Sequence, residues 1–262
     1  MTLDDELPMI SIITPTYNRR NTFRLALLNF ATFDYPRNKL EWIIIDDGTD
    51  PIRDLLPTDE RIKYFYYGVT AKKALWEDLK KKMTGGRNKR KSLHLRHKDG
   101  FADGRIPLGM KRNIACSKAI GEYIVHMDDD DYYYPEGIRK RIVGDCSGIV
   151  IMQTFDVDDY ISAIARQHAD SSNYMHYYDC SLAYRRSFWE KHKFDNQDIK
   201  NVSRQFLKGR SGAITELRDK DIVVKLYHNK NKLRGEKRES NGWHFGEVPE
   251  NIFILMTSFD SC

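Results

Sequence analysis

The chain lacks any apolar run near the ~20 residues that a bilayer-spanning helix requires. Its first six residues, Met1 to Glu6, are acidic where a secretory leader would be basic. Both absences predict a soluble, cytoplasmic protein. Cysteine is sparse: Cys116, Cys146, Cys180 and Cys262 lie far apart, so neither a zinc site nor a disulfide framework is expected. Basicity is missing from most of the sequence. The formal net charge is +5, yet residues 72–98 hold eleven Lys and Arg against only Glu77 and Asp78, which leaves the remainder at −4. A charge excess confined to one segment argues against a nucleic-acid partner; its functional reading is attraction to a polyanion or peripheral contact with an acidic membrane surface through 72–98, and the other reading is a solvated loop that adds solubility. What is present is a globular composition, 40% apolar and 12% aromatic over 262 residues, enough for a substantial core.

The most informative stretch is Asp128-Asp129-Asp130-Asp131, entered through Tyr123-Ile124-Val125-His126-Met127 and left through Tyr132-Tyr133-Tyr134-Pro135. Four consecutive carboxylates at the end of a buried strand repel one another and resist desolvation unless a cation lies among them. In an extended chain residues i and i+2 point the same way, so Asp128 and Asp130 would face one ligand. Hard oxygen donors with no cysteine nearby in sequence suit Mg²⁺ or Mn²⁺, which bind through one or two carboxylates plus substrate phosphates. A calcium loop fails on spacing, because the sixth residue is Tyr133 rather than Gly and the twelfth is Arg139 rather than Glu.

Met9 to Ile13 reads as a buried strand ending in Pro15-Thr16-Tyr17-Asn18, followed by a helix capped by Asn21 or Thr22 and ended by Pro36. Glu41 to Ile45 is a second apolar strand, closed by Asp46-Asp47-Gly48. Strand, helix, strand predicts a βαβ unit with a parallel sheet. Arg61 to Tyr67 reads as a third strand. Residues 68–107 read as a basic surface insertion, with a short helix over 74–79. Gly109 to Gly121 reads as a helix with Gly121 as its stop, and Lys111 and Arg112 in its first turn oppose the helix dipole, which points to an anion there. Three strands thus end in Pro15 to Asn18, Asp46-Asp47 and Asp128 to Asp131, and ligands of open α/β sheets bind beyond such carboxyl ends. Beyond about residue 148 the pattern loosens, with further strands at 148–152, 181–184 and 222–227.

Four ordered motifs carry a resemblance: Pro15-Thr16-Tyr17-Asn18; Ile44-Ile45-Asp46-Asp47-Gly48-Thr49; Lys111-Arg112-Asn113 with Ala119-Ile120-Gly121-Glu122-Tyr123-Ile124; and Met127-Asp128-Asp129-Asp130-Asp131. Across residues 9 to about 145 the chain resembles the GT-A glycosyltransferases of family 2, the inverting family that moves sugars from nucleotide sugars, and is similar in flavour to members encoded by large DNA viruses. The resemblance implies a Rossmann-like, mostly parallel sheet flanked by helices, with a nucleotide-sugar half at 1–147 and a mixed acceptor half at 148–262 within one domain. It implies that Thr16, Tyr17 and Asp47, with Asp46 competing, hold the nucleobase, and that Pro15 and Asn18 also belong to the nucleotide site. Lys111, Arg112 and Asn113 would approach the nucleotide, and Asp128 and Asp129 the ribose or metal shell. Asp130, Asp128 and His228 would bind Mn²⁺ or Mg²⁺ in a DXD-type site. The donor would be a UDP-sugar and the acceptor a glycan or glycoprotein, in the host cytoplasm if the chain is viral.

An inverting transfer also needs a base for the acceptor hydroxyl. By the resemblance a carboxylate would stand just before Phe206-Leu207, but the sequence there is Asn201-Val202-Ser203-Arg204-Gln205. Asp198, Asp195 and Asp179 are the substitutes, in that order. A dehalogenase-type phosphatase is disfavoured because Asp128-x-Asp130 is followed by Asp131 and Tyr132, and a nucleotidyltransferase because Pro15 to Arg20 contains no Gly. The alternative from another class is a non-catalytic protein that binds nucleotide or a polyanion.

Overall fold

The computed structural model describes residues 6–84, 101–156, 161–166 and 177–227. In chain order the elements are β1 (Ile10–Thr16), α1 (Phe23–Thr32), β2 (Leu40–Asp46), β3 (Ile62–Tyr66), α2 (Val69–Thr84), α3 (Leu108–Lys118), β4 (Tyr123–His126) and β5 (Tyr132–Tyr133). They continue with α4 (Gly137–Arg141), β6 (Cys146–Ile149), β7 (Ile151–Asp156), β8 (Ile161–Arg166), β9 (Ala183–Arg185), α5 (Arg186–Lys191), α6 (Val202–Leu207), β10 (Ile214–Leu217) and β11 (Val223–Tyr227).

The main sheet has seven strands in the order β10-β6-β9-β4-β1-β2-β3. β4, β1, β2 and β3 run parallel, and so do β10 and β6, while β9 is antiparallel to both its neighbours. A second sheet, β5-β11-β7-β8, carries one parallel pair between two antiparallel ones. This is the expected α/β architecture, with a parallel first half and a mixed second half.

The continuous apolar runs of β1 and β2 follow from burial on both faces. Ile10, Ile12, Trp42 and Ile44 face one layer, where Phe23 of α1 stacks on Trp42 with centroids 5.6 Å apart and Phe30 lies 4.9 Å away. Ile13, Ile43 and Ile45 face the other, against Ala115 and Cys116 of α3. Period-two alternation therefore assigns successive residues to opposite layers.

Two expectations are revised. Helix α3 ends at Lys118, not at Gly121. Gly121 serves a close approach: a Cβ there would lie 2.5 Å from the Ser11 backbone nitrogen, and its N–H donates to Ser11 Oγ at 2.8 Å. Nor does the segment from 68 to 107 begin as a surface loop. It opens in the 16-residue helix α2, whose Trp76 and Leu79 pack with Phe101, Ile106 and Met110 in a satellite core. Trp76 and Phe101 meet edge to face at 5.4 Å. The apolar residues of α2 stand one turn apart among lysines, so the charge density hid a buried stripe.

Candidate active site

The tips of β1, β2 and β4 converge, as sequence reasoning expected. The β1 tip turns at Asn18, whose φ of 53° lies in the left-handed region. Its Oδ1 accepts from the N–H groups of Thr49 at 2.7 Å and Asp50 at 3.1 Å. Asn18 thus ties the loop after β1 to the loop after β2, which is a scaffold role. The adjacent Arg19 and Arg20 diverge: Arg20 pairs with Asp50 at 3.1 Å and Asp54 at 2.8 Å, while Arg19 reaches the acidic run.

Asp46 and Asp47 are both buried and do different work. Asp46 closes its own loop, accepting from Gly48 N–H at 2.9 Å, Ile52 N–H at 3.1 Å and the Tyr64 hydroxyl at 2.7 Å. Asp47 faces the segment leading into α3, accepting from Ile106 N–H at 2.6 Å and Lys111 Nζ at 2.8 Å. Asp46 is thus held within its own loop, and Asp47 joins the loop after β2 to α3. Tyr17 lies beside it with the Arg105 guanidinium 4.0 Å from its ring centroid. Lys72 bridges the Asp47 and Gly104 carbonyls at 2.6 and 2.7 Å. Pro15 is half-buried and Thr16 buried at the strand end.

Lys111 and Arg112, expected to gather an anion at the start of α3, are buried and matched by the protein's own carboxylates. Lys111 takes Asp47. Arg112, 1% exposed, lies 3.5 Å from Asp128 and 3.5 Å from Asp179, with its Nε and Nη1 lacking hydrogen-bond partners. Asn113 does not face the cleft. Its side chain staples α3 to the chain after α5, donating to the Phe194 carbonyl at 2.8 Å and accepting from Trp189 Nε1 at 2.9 Å.

The aspartate run is a turn rather than an extension of β4, so the expected i, i+2 alternation does not apply. Thr14 Oγ1 braces the turn at the Met127 carbonyl (2.7 Å), Asn29 Nδ2 at the Asp131 carbonyl (2.8 Å), and the Tyr133 hydroxyl at Asp128 N–H (2.9 Å). Asp131 points inward, 0% exposed, paired with Lys225 at 3.2 Å and accepting from Leu226 N–H at 3.2 Å. Asp130 lies 3.3 Å from Arg19, and Asp129 4.0 Å. Burial pushes the carboxyls of Asp128 and Asp129 up, Asp129 to about 7, with Asp130 adding repulsion and Arg19 opposing it. The Asp129 Oδ2 atom is buried without a hydrogen-bond partner.

These residues fit a divalent cation. The run and Asp179 supply five carboxylates against the cations of Arg19, Arg112 and Lys225, so negative charge is in surplus. Asp128 and Asp130 are hard donors of the kind Mg²⁺ and Mn²⁺ prefer. Asp128, Asp131 and Cys180 can bring ligand atoms within 4.8 Å of one another, but a buried thiol pushed far up in pKa and a carboxylate committed to Lys225 suit such ions poorly. His228 lies outside the described residues.

The three candidate acids Asp179, Asp195 and Asp198 stand in different surroundings. Asp179 places its carboxylate at the start of α6, accepting from Val202 N–H at 2.9 Å and Ser203 N–H at 3.0 Å. With Arg112 also beside it, its lone pairs are committed. Asp195 is exposed and accepts from Gln197 N–H at 2.9 Å. Asp198 differs: burial first, then Asp195 and Asp179, push its carboxyl up to about 6, and its Oδ2 has no hydrogen-bond partner. Sequence reasoning missed Arg19 and Lys225. Arg19 adjoins a quoted motif, so its position was a usable signal; Lys225 was one lysine in an apolar strand.

No protein-family model matches the chain. A Haemophilus influenzae protein named an uncharacterized glycosyltransferase is 24% identical over 141 residues, 52% of this chain and 42% of that protein. The chain spans less than half the length of the curated relatives it matches. Among solved structures, Staphylococcus aureus TarS 1–349 in complex with UDP-GlcNAc superposes with a TM-score of 0.55 at 16% identity, over 94% of this chain and 64% of that one. The Pyrobaculum calidifontis mannosyltransferase PcManGT in complex with GDP-Man and Mn²⁺ gives 0.51 at 16% identity, over 84% and 56%. Sequence relatives and fold agree: the chain is a relative of the glycosyltransferases and has the GT-A fold.

Proposed function

We propose that this chain is a metal-dependent, inverting glycosyltransferase that moves a sugar from a UDP-sugar to a hydroxyl of a glycan or glycoprotein. The observation that carries the reading is the meeting of three strand tips around surplus carboxylates, with a carboxylate whose Oδ2 has no hydrogen-bond partner, Asp198, against the start of α3. The solved neighbours captured with UDP-GlcNAc and with GDP-Man and Mn²⁺ support a nucleotide-sugar donor.

Asp130 and Asp128 would hold Mn²⁺ or Mg²⁺, whose chemistry is charge neutralisation of a diphosphate leaving group. Tyr17 and Asp47 flank the nucleobase position, one offering a ring face and the other carboxylate acceptors. Arg112, next to Asp128, keeps positive charge beside the leaving group in a dry site, where it is worth more than in water, and Lys111 fixes the Asp47 carboxylate. Asp198 takes the acceptor proton. A carboxyl held at about 6 is mostly ionised at neutral pH yet more basic than an ordinary one.

Thermal shift with UDP, GDP, dTDP and CMP, each with Mn²⁺, tests the reading. A nucleotide at 100 times its Kd adds ~2.7 kcal/mol to stability. A clear rise with one of them, largest with UDP, is expected; no rise with any overturns the proposal.

A further inference from the structure

Arg19 adjoins the Pro15 to Asn18 motif, and it stands at the acidic run rather than in the scaffold. Its backbone is fixed: the Arg19 carbonyl accepts from Phe23 N–H at 2.8 Å and from the Thr22 hydroxyl at 3.2 Å, at the entrance of α1. The preceding Asn18, held left-handed by its bonds to the loop after β2, sends Arg19 and Arg20 in opposite directions. The Arg19 guanidinium lies 3.3 Å from Asp130 Oδ2 and 4.0 Å from Asp129 Oδ1. Those two carboxylates are only 10% and 8% exposed.

We infer that Arg19 is a resident counter-cation that makes divalent-ion binding conditional on the nucleotide. This rests on the glycosyltransferase reading for the nucleotide, but the competition itself involves only the chain and the ion. A guanidinium beside Asp130 blocks one approach to that carboxylate, and two cations sharing it repel strongly in a site shielded from water. The ion alone must therefore displace Arg19. When a diphosphate arrives with the ion, Arg19 exchanges a carboxylate for phosphate oxygens, which the planar guanidinium fork also matches. The acidic run is thereby kept neutralised when the site is empty, and the ion is retained only with its nucleotide.

The test is Mn²⁺ binding without nucleotide, read from the electron paramagnetic resonance signal of free Mn²⁺ in the wild type, Arg19→Gln and Arg19→Lys. Arg19→Gln should tighten Mn²⁺ binding by roughly tenfold or more, because a charge at contact distance is removed. It should also lower the melting midpoint without Mn²⁺ and recover it with Mn²⁺. Arg19→Lys, which keeps the charge but not the fork, should fall between and covers the case in which Arg19→Gln does not fold. Unchanged or weaker Mn²⁺ binding in the folded variants, or no Mn²⁺ binding by any of the three, overturns the inference. Failure of the functional reading has a different signature: Arg19→Gln tightens Mn²⁺ binding, but no nucleotide shifts the wild-type midpoint.

Discussion

The Arg112 guanidinium lies 3.5 Å from Asp179, and through the same buried group the acidic turn after β4 is joined to the start of α6. Asp128 is the third member, also at 3.5 Å. A guanidinium this buried needs its carboxylates, because an unpaired charge in a low-dielectric interior is costly. Its charged form is favoured despite burial, with Asp179 contributing before Asp128.

Arg112→Gln should therefore destabilise the fold by ~3–5 kcal/mol, the range for breaking a buried pair. Asp179→Asn should cost less, since an amide oxygen still accepts from the start of α6. The double variant should fall short of the sum by ~0.5–3 kcal/mol, read by urea unfolding. Additive effects would mean that the two groups do not interact.

Gly121→Ala tests the seam between α3 and β1. The new methyl would stand 2.5 Å from Ser11 N and 2.7 Å from Ser11 Oγ, and Ser11 also bonds the buried Glu41. Backbone must move apart, so a loss of ~1–3 kcal/mol is expected, seen as a melting midpoint lowered by several degrees. An unchanged midpoint would show that the seam is loose.

The first half was legible in the sequence because its elements are local and periodic: β1, β2 and β4 are apolar runs, and each ends in polar residues. Asp46 and Asp47 were legible as a pair but not as separate roles, since which neighbour takes which carboxylate depends on Tyr64 and Lys111, 18 and 64 residues away. The acidic turn shows the same limit. Its composition announced the site, but Thr14, Asn29 and Tyr133 bend it, and no periodicity reports such braces. Helix α2 was obscured for another reason, because lysines around Trp76 and Leu79 mask the stripe that packs on Phe101. Asp179 is separated from Val202 by 23 residues, so its place before Phe206 follows only from the fold.

For the acidic run, Asp130→Asn should lower turnover ~10³-fold, equivalent to about 4 kcal/mol of transition-state stabilisation. EDTA should abolish turnover in the wild type, with Mn²⁺ restoring it. Full turnover in either condition would remove Asp130 and the ion from the mechanism.

The base is tested by separating transfer from binding. Asp198→Asn should lower transfer, or hydrolysis where water is the acceptor, by ~10²- to 10⁴-fold while leaving UDP affinity nearly unchanged, because a base acts on the acceptor and not on the diphosphate. The pH profile carries a second signature. The base works unprotonated, so the wild-type rate should climb through about pH 6 and level off above it, and the variant should lose that step. Stability moves the other way. The folded chain holds the Asp198 proton more tightly than the unfolded chain, so ionisation costs the fold nothing below the ordinary value of 3.8 and its full amount above about 6. Asp198→Asn should then raise the melting midpoint at pH 8 by ~2–4 °C, about 1 kcal/mol after solvent screening of a part-exposed group, with little gain at pH 4. Asp195→Asn, on an exposed side chain, should leave transfer at pH 8 unchanged but move the pH 6 step lower, because Asp195 helps push the Asp198 carboxyl up. Asp179→Asn should weaken the fold through α6 and Arg112 before it affects the pH profile. A folded Asp179 or Asp195 variant that alone loses both transfer and the pH 6 step would move the base from Asp198 to that residue.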